Sequence, residues 1–158
     1  MKETKHAYGD NVHILDDLYL TSTLTELCQP ETTQPLINEL LDVLYSSLIK
    51  VVVSREFPTK KVRVATRMTA KHPEQFLEAT VIDNEQRAIS VNLARAGTFP
   101  SHISYCTLNY ILAPSHVRQD HVTASRLTDP NHRVTGTSLI GSKIGGDVDK
   151  AIVIFPDP

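Results

Sequence analysis

The stretch Ala88-Ile89-Ser90-Val91-Asn92-Leu93-Ala94-Arg95-Ala96-Gly97-Thr98 passes from a strand pattern into a glycine-bearing turn. Behind it, Ile103, Leu108, Ile111 and Leu112 predict a helix over roughly residues 100–112. Strand, turn and helix in that order are the first half of a βαβ unit, which places the chain in the α/β class. Within the turn, the small residues around Arg95 let a backbone come close to a ligand while the guanidinium grips an oxyanion. A strand-end arginine paired with a carboxylate accounts for the same pattern, and from the turn alone both readings stand.

Upstream, Leu36, Ile37, Leu40, Leu41, Leu44, Leu48 and Val52 recur at three- and four-residue spacing, the pattern of an amphipathic helix. Thr33 and Pro35 signal its start, and it ends before Pro58. Residues 1–20 read as an irregular arm with a turn at Gly9-Asp10-Asn11, and Thr21 or Ser22 is placed to cap a short helix through Leu27. After Pro58 the period becomes two, and Val62 to Arg67 and Phe76 to Ile82 suit an antiparallel pair. Downstream, His121 to Ser125 and Val134 to Ile140 are strand candidates divided by the turn Asp129-Pro130-Asn131. Gly136, Gly141, Gly145 and Gly146 then predict a mobile or tightly bent excursion. The last strand, Ala151-Ile152-Val153-Ile154-Phe155, reads as covered on both faces. Ligands of open α/β sheets sit beyond the carboxyl ends of such strands, so chemistry is expected at Asp157.

A chain of 158 residues suits one domain, here an arm with helices over 1–58 and an α/β core over 59–158. With 16 basic and 18 acidic side chains the net charge is −2, which gives no footprint for general nucleic-acid binding. Cys28 and Cys106 have neither zinc nor disulfide spacing and read as reduced thiols; with a polar start and no bilayer-length apolar run, a cytoplasmic protein is expected. The seven histidines are assigned to turns and surface, since His116 and His121 are five apart and no cysteine or carboxylate cluster completes a metal site. Lys60, Lys61, Arg63 and Arg67 read as a solvated edge strand, and Arg126 as a surface arginine beside Asp129. The chain contains no nucleophile elbow, Walker-type loop or dinucleotide glycine fingerprint.

Three segments change that reading when taken together: Leu93 to Gly97, Ala124-Ser125-Arg126 with Lys143 beyond it, and Ile152 to Pro158. In order and spacing they resemble a uracil phosphoribosyltransferase of the type I phosphoribosyltransferase family. That resemblance implies a type I phosphoribosyltransferase-like α/β fold, a mainly parallel sheet flanked by helices with a β-hairpin excursion. It implies that Arg95, Ala96, Gly97, Arg126, Asp157 and Pro158 bind phosphoribosyl pyrophosphate. Asp157 is the implied catalytic residue, opening the loop that embraces the ribose and its 5′-phosphate. The implied cofactor is Mg²⁺, the second substrate uracil and the products uridine 5′-monophosphate and pyrophosphate, in a homodimer or higher oligomer. Ala94 stands where the family commonly has leucine, and Asn92 where it often has proline, a change expected to relax the strand end. The family's remaining loop and its base-recognising segment would follow Pro158, so negligible activity is expected of residues 1–158 alone. The alternatives are a non-catalytic binding or self-associating remnant of the fold, and an RNA-binding regulator, which the modest acidity disfavours.

Overall fold

A computed structural model describes residues 2–158 and divides the chain into two compact units, one ending at Ser47 and the other running from Leu48 to Pro158. In the first unit the arm is pinned by an isolated antiparallel bridge between Glu3 and Leu15 and by the Lys2–Asp16 ion pair at 2.5 Å. Helix α1 spans Leu18–Leu27, and its cap is Asp17, whose extended backbone lets the carboxylate accept from the amides of Tyr19 and Leu20 at 2.9 and 3.2 Å. The expected caps Thr21 and Ser22 lie inside the helix instead, their hydroxyls donating to the carbonyls of Asp17 and Leu18. Helix α2 spans Leu36–Glu56, starting directly after Pro35, and the division between the units falls within it.

The second unit contains the last turns of α2, a two-stranded antiparallel ribbon and a four-stranded mixed sheet. In the ribbon, β1 (Thr59–Ala65) pairs with β2 (Phe76–Ile82) from Thr59 opposite Ile82 to Ala65 opposite Phe76. The strand therefore ends before Arg67. Lys60 pairs with Asp83 at 3.0 Å and with Asn84, while Arg63 lies 3.7 Å from Glu78 and 4.3 Å from the Phe76 ring centre, so acids and an aromatic on or just after β2 answer part of the basic stretch.

The sheet is built on β3 (Arg87–Ala94), followed by helix α3 (Thr98–Asn109), a 3₁₀ turn at Pro114–His116, β4 (Val117–Thr128), β5 (Val134–Lys143) and β6 (Ala151–Ile154). Its order is β5-β4-β3-β6, with β4 and β6 parallel to β3 and β5 antiparallel to β4. Ile49, Val53 and Phe57 of the α2 end pack with Ala88, Val117, Leu108 and Leu112 in one buried cluster, which Ile152 and Ile154 adjoin. The chain is thus an α/β protein with a mixed sheet flanked by helices, and no helix among the described residues is long and apolar enough to cross a membrane.

Two expectations about strands are corrected. Central β3, bordered by strands on both sides, is the covered strand, whereas β6 lies at the sheet edge with Val153 38% and Phe155 63% exposed. Strand β4 begins four residues before His121, because Gln119 and Asp120 find polar partners that let their segment enter the sheet interior.

Candidate functional site

The glycine at the end of the 94–97 turn is there for space. A Cβ on Gly97 would stand 3.0 Å from the backbone nitrogen and oxygen of Leu93 and 3.0 Å from the carbonyl oxygen of Pro156. A side chain here would force backbone on both sides to give, so glycine suits the close approach of the turn to the segment after β6. The contact brings two sequence-distant segments to one edge: Arg95 and Ala96 are exposed on the turn, and Asp157 and Pro158 are exposed just beyond buried Pro156. The Ala94–Arg95 peptide is cis. The Arg95 guanidinium has no ion-pair or hydrogen-bond partner among the described residues, so the carboxylate pairing that its sequence context allowed is not the one formed.

Topology gives this edge a reason to bind. From β3 the chain crosses through α3 to β4 on one side, while β6 lies on the other side of β3, so the strand order reverses at β3. A crevice outside the carboxyl ends of parallel strands at such a reversal is where open α/β sheets hold ligands. Helix α3 starts there with Gly97 as a cap that supplies no side-chain hydrogen bond.

Arg126 is not brought into this edge. The last β3–β4 pair is Ala94 with Thr123, and Arg126 lies three residues further along β4, about 10 Å at the usual strand rise. It is exposed opposite Thr137 and does not pair with Asp129. That acid instead accepts from the amides of Asn131 and Arg133, both at 2.9 Å, closing the hairpin turn. Lys143 ends β5 opposite His121.

Beneath the turn lies a polar bed that sequence reasoning missed. Asn92, 5% exposed, contacts His121 Nδ1 through its amide nitrogen at 3.1 Å and accepts from the Thr98 hydroxyl at 3.2 Å. Far from relaxing the strand end, it ties β3 to β4 and to the first residue of α3. His121, exposed as expected of the histidines, lies within β4, the strand that its segment predicts. Next to it, the Ser90 hydroxyl donates to the Ser101 carbonyl at 2.8 Å and Gln119 donates to the Ser101 hydroxyl at 2.9 Å. Asn92 three residues before an arginine turn was visible in the sequence; its partner in the neighbouring strand was not.

On the opposite face of β4, Arg118 Nε lies 3.1 Å from both oxygens of buried Asp120, which also accepts the Gly145 amide at 2.9 Å. The same guanidinium donates to the carbonyls of Asp147 and Gly146, and Arg87 reaches the Asp147 carboxylate at 3.0 Å. Of the two readings of the glycine-rich excursion, the tightly bent one fits the clamped segment at Gly145 and Gly146, whereas Gly136 and Gly141 lie within β5. The Arg87 hydrogen bond, followed by that of the Asp149 amide, holds the Asp147 carboxyl below its ordinary 3.8. A depressed folded value means that this contribution to stability is complete above the unfolded value and disappears as pH falls through the folded one. Asp147→Asn is expected to flatten the acid limb of a plot of urea midpoint against pH as pH falls through and below the ordinary carboxylate value. An unchanged limb would show that the Arg87 pair does not survive in solution.

Among the described residues no group of three or more histidine, cysteine or acidic side chains is placed to hold a metal ion. Both cysteines are free and exposed.

These features define an α/β protein with an open edge at the carboxyl ends of parallel strands, where Arg95 and Asp157 are both exposed. No protein-family model matches the chain, and no curated protein matches it. Among solved structures, the AQ2163 protein from Aquifex aeolicus is similar, with a TM-score of 0.61 at 13% identity. The alignment covers 91% of this chain and 60% of that one, so the chain spans less than two thirds of its neighbour's length. At that identity the likeness establishes a shared fold.

Proposed function

We propose that the edge formed by residues 94–98 and 156–158 binds the diphosphate and ribose of phosphoribosyl pyrophosphate in a type I phosphoribosyltransferase-like fold. The reaction this reading implies is that of a uracil phosphoribosyltransferase, transfer of ribose 5-phosphate to N1 of uracil with release of pyrophosphate, and residues 1–158 alone are expected to bind without appreciable turnover. The observation that carries the reading is the approach of Gly97 to Pro156. It brings to one strand-end edge the Arg95 turn and the Asp157 segment, which the family resemblance assigns to the same ligand.

Breaking the bond from the sugar to pyrophosphate builds positive charge on the ribose and negative charge on the leaving group. A cation beside the leaving group lowers the energy of that state, and Arg95, exposed and with no internal partner to give up, is available for it. Mg²⁺ coordinated by the diphosphate would neutralise part of the same charge, and such an ion needs only one or two protein carboxylates. Asp157 is the acid at this edge that fits. No side chain has to act as a nucleophile. Arg126 stands further out on the hairpin, so the first phosphate contact falls to Arg95.

Calorimetric titration with magnesium phosphoribosyl pyrophosphate tests the site. Binding is expected, and Arg95→Ala is expected to weaken it about tenfold to a hundredfold, the range for one charge-assisted hydrogen bond. Absence of binding, or equal affinity in the variant, would overturn the proposal. Clear conversion of labelled uracil to uridine 5′-monophosphate by residues 1–158 would overturn the expectation of negligible activity.

A further inference from the structure

We propose that His121 is a ligand-orienting residue of the same edge, donating a hydrogen bond from Nε2 to the diphosphate that Arg95 holds. The inference rests on the phosphoribosyl pyrophosphate reading and adds a group to it. Asn92 is a buried amide with two polar neighbours. Its Oδ1 accepts from the Thr98 hydroxyl, so its amide N–H faces His121 Nδ1. An amide hydrogen can be received only by a ring nitrogen without a proton, which leaves the proton of the neutral imidazole on Nε2.

That Nε2 has no hydrogen-bond partner among the described residues, and the His121 residue is exposed. Its place is set by register: His121 pairs with Asn92 across the parallel β3–β4 ladder and with Lys143 across the antiparallel β4–β5 ladder. Directly paired residues share a face, so Asn92, His121 and Lys143 form one row across the sheet. The row lies two pairs short of Ala94 and Thr123, the last pair before the Arg95 turn, and on the same face as that pair. Thr98, which anchors Asn92, opens α3 immediately after that turn. A single buried amide thus sets the tautomer of an exposed imidazole and ties it to the turn carrying the unpaired Arg95. Neither Lys143 nor Arg95 has an ion-pair partner among the described residues, so the row presents donors and cations to an anion. Asn92 is a positioning residue, acting through His121 and Thr98.

The test uses the whole chain, with inorganic pyrophosphate and magnesium phosphoribosyl pyrophosphate as probes. Long-range proton–nitrogen NMR correlations of the His121 ring are expected to show the proton on Nε2, and both probes are expected to shift that nitrogen. Asn92→Ala is expected to restore a mixture of tautomers, a change that a purely structural amide would not produce. His121→Ala is expected to weaken binding of both probes about tenfold with an unchanged melting temperature. A proton on Nδ1, or unshifted ring nitrogens with full affinity in His121→Ala while Arg95→Ala loses binding, overturns this inference alone. Failure of the unaltered protein to bind either probe overturns the phosphoribosyl pyrophosphate reading and this inference with it.

Discussion

Asp120→Ala is expected to destabilise the second unit by about 3 kcal/mol, the lower end of the range for removing one partner of a buried ion pair. The Asp120 side chain is 3% exposed and accepts from Arg118 and from the Gly145 amide. Alanine would leave a partly buried guanidinium without its carboxylate and an amide without its acceptor. Arg118 is 24% exposed and keeps the carbonyls of Gly146 and Asp147, so the loss stays near the lower end. Asp120→Asn retains an acceptor for Gly145 and should cost about 1–2 kcal/mol. Urea denaturation of both variants, with Arg118→Met completing a double-mutant cycle, separates the charge from the loop hydrogen bond. A cost below about 1 kcal/mol for Asp120→Ala would mean that the clamp on the β5–β6 connection contributes little.

Gly97→Ala is the second large effect, and it couples stability to the candidate site. All three atoms that the new methyl would meet at 3.0 Å belong to backbone, which cannot swing aside as a side chain would. Relief requires the turn to move off Leu93 or the Pro156 segment to move off the turn. The cost is about 2–3 kcal/mol, typical of overpacking a closed space. Displacement of the Pro156 segment carries Asp157 away from the Arg95 turn, so affinity for magnesium phosphoribosyl pyrophosphate should fall in protein that is still folded. The control is Gly141→Ala, where nothing lies within 4 Å of the added methyl and stability should be unchanged or slightly raised. If the two substitutions have equal effects, the close approach is not what requires glycine at 97.

The elements written in local pattern were legible. Helix α2 followed its three- and four-residue spacing between Pro35 and Pro58, and β2 coincides with the apolar run from Phe76 to Ile82. The order of β3, turn and α3 followed from the change of pattern after Leu93, though the helix starts at Thr98 and ends at Asn109. The entry of β4 was not legible, because Arg118-Gln119-Asp120 carries no strand alternation. Those side chains are satisfied by Ser101, Gly145, Gly146 and Asp147, residues that no local window contains. The coverage of β6 was misread for a related reason, since an apolar run records what a strand can bury and not whether a neighbour arrives on both sides.

At the candidate site, Arg95, Gly97 and Asp157 could be picked out by residue type and spacing. Asn92 and His121 could not be joined, because their contact depends on the parallel register of strands whose connection is a whole helix.

By itself, then, the sequence determined the α/β class, the arginine turn at the end of a strand and the acid after the last strand. These depend on periodicity, proline and glycine conformations and capping groups that act within a few residues. Only the tertiary structure decided that the turn and the acid share an edge, that Arg126 stands apart from it, and that Asn92 couples His121 to Thr98. Such contacts arise from strand order and register, which are selected by packing and hydrogen bonding between segments far apart in the chain.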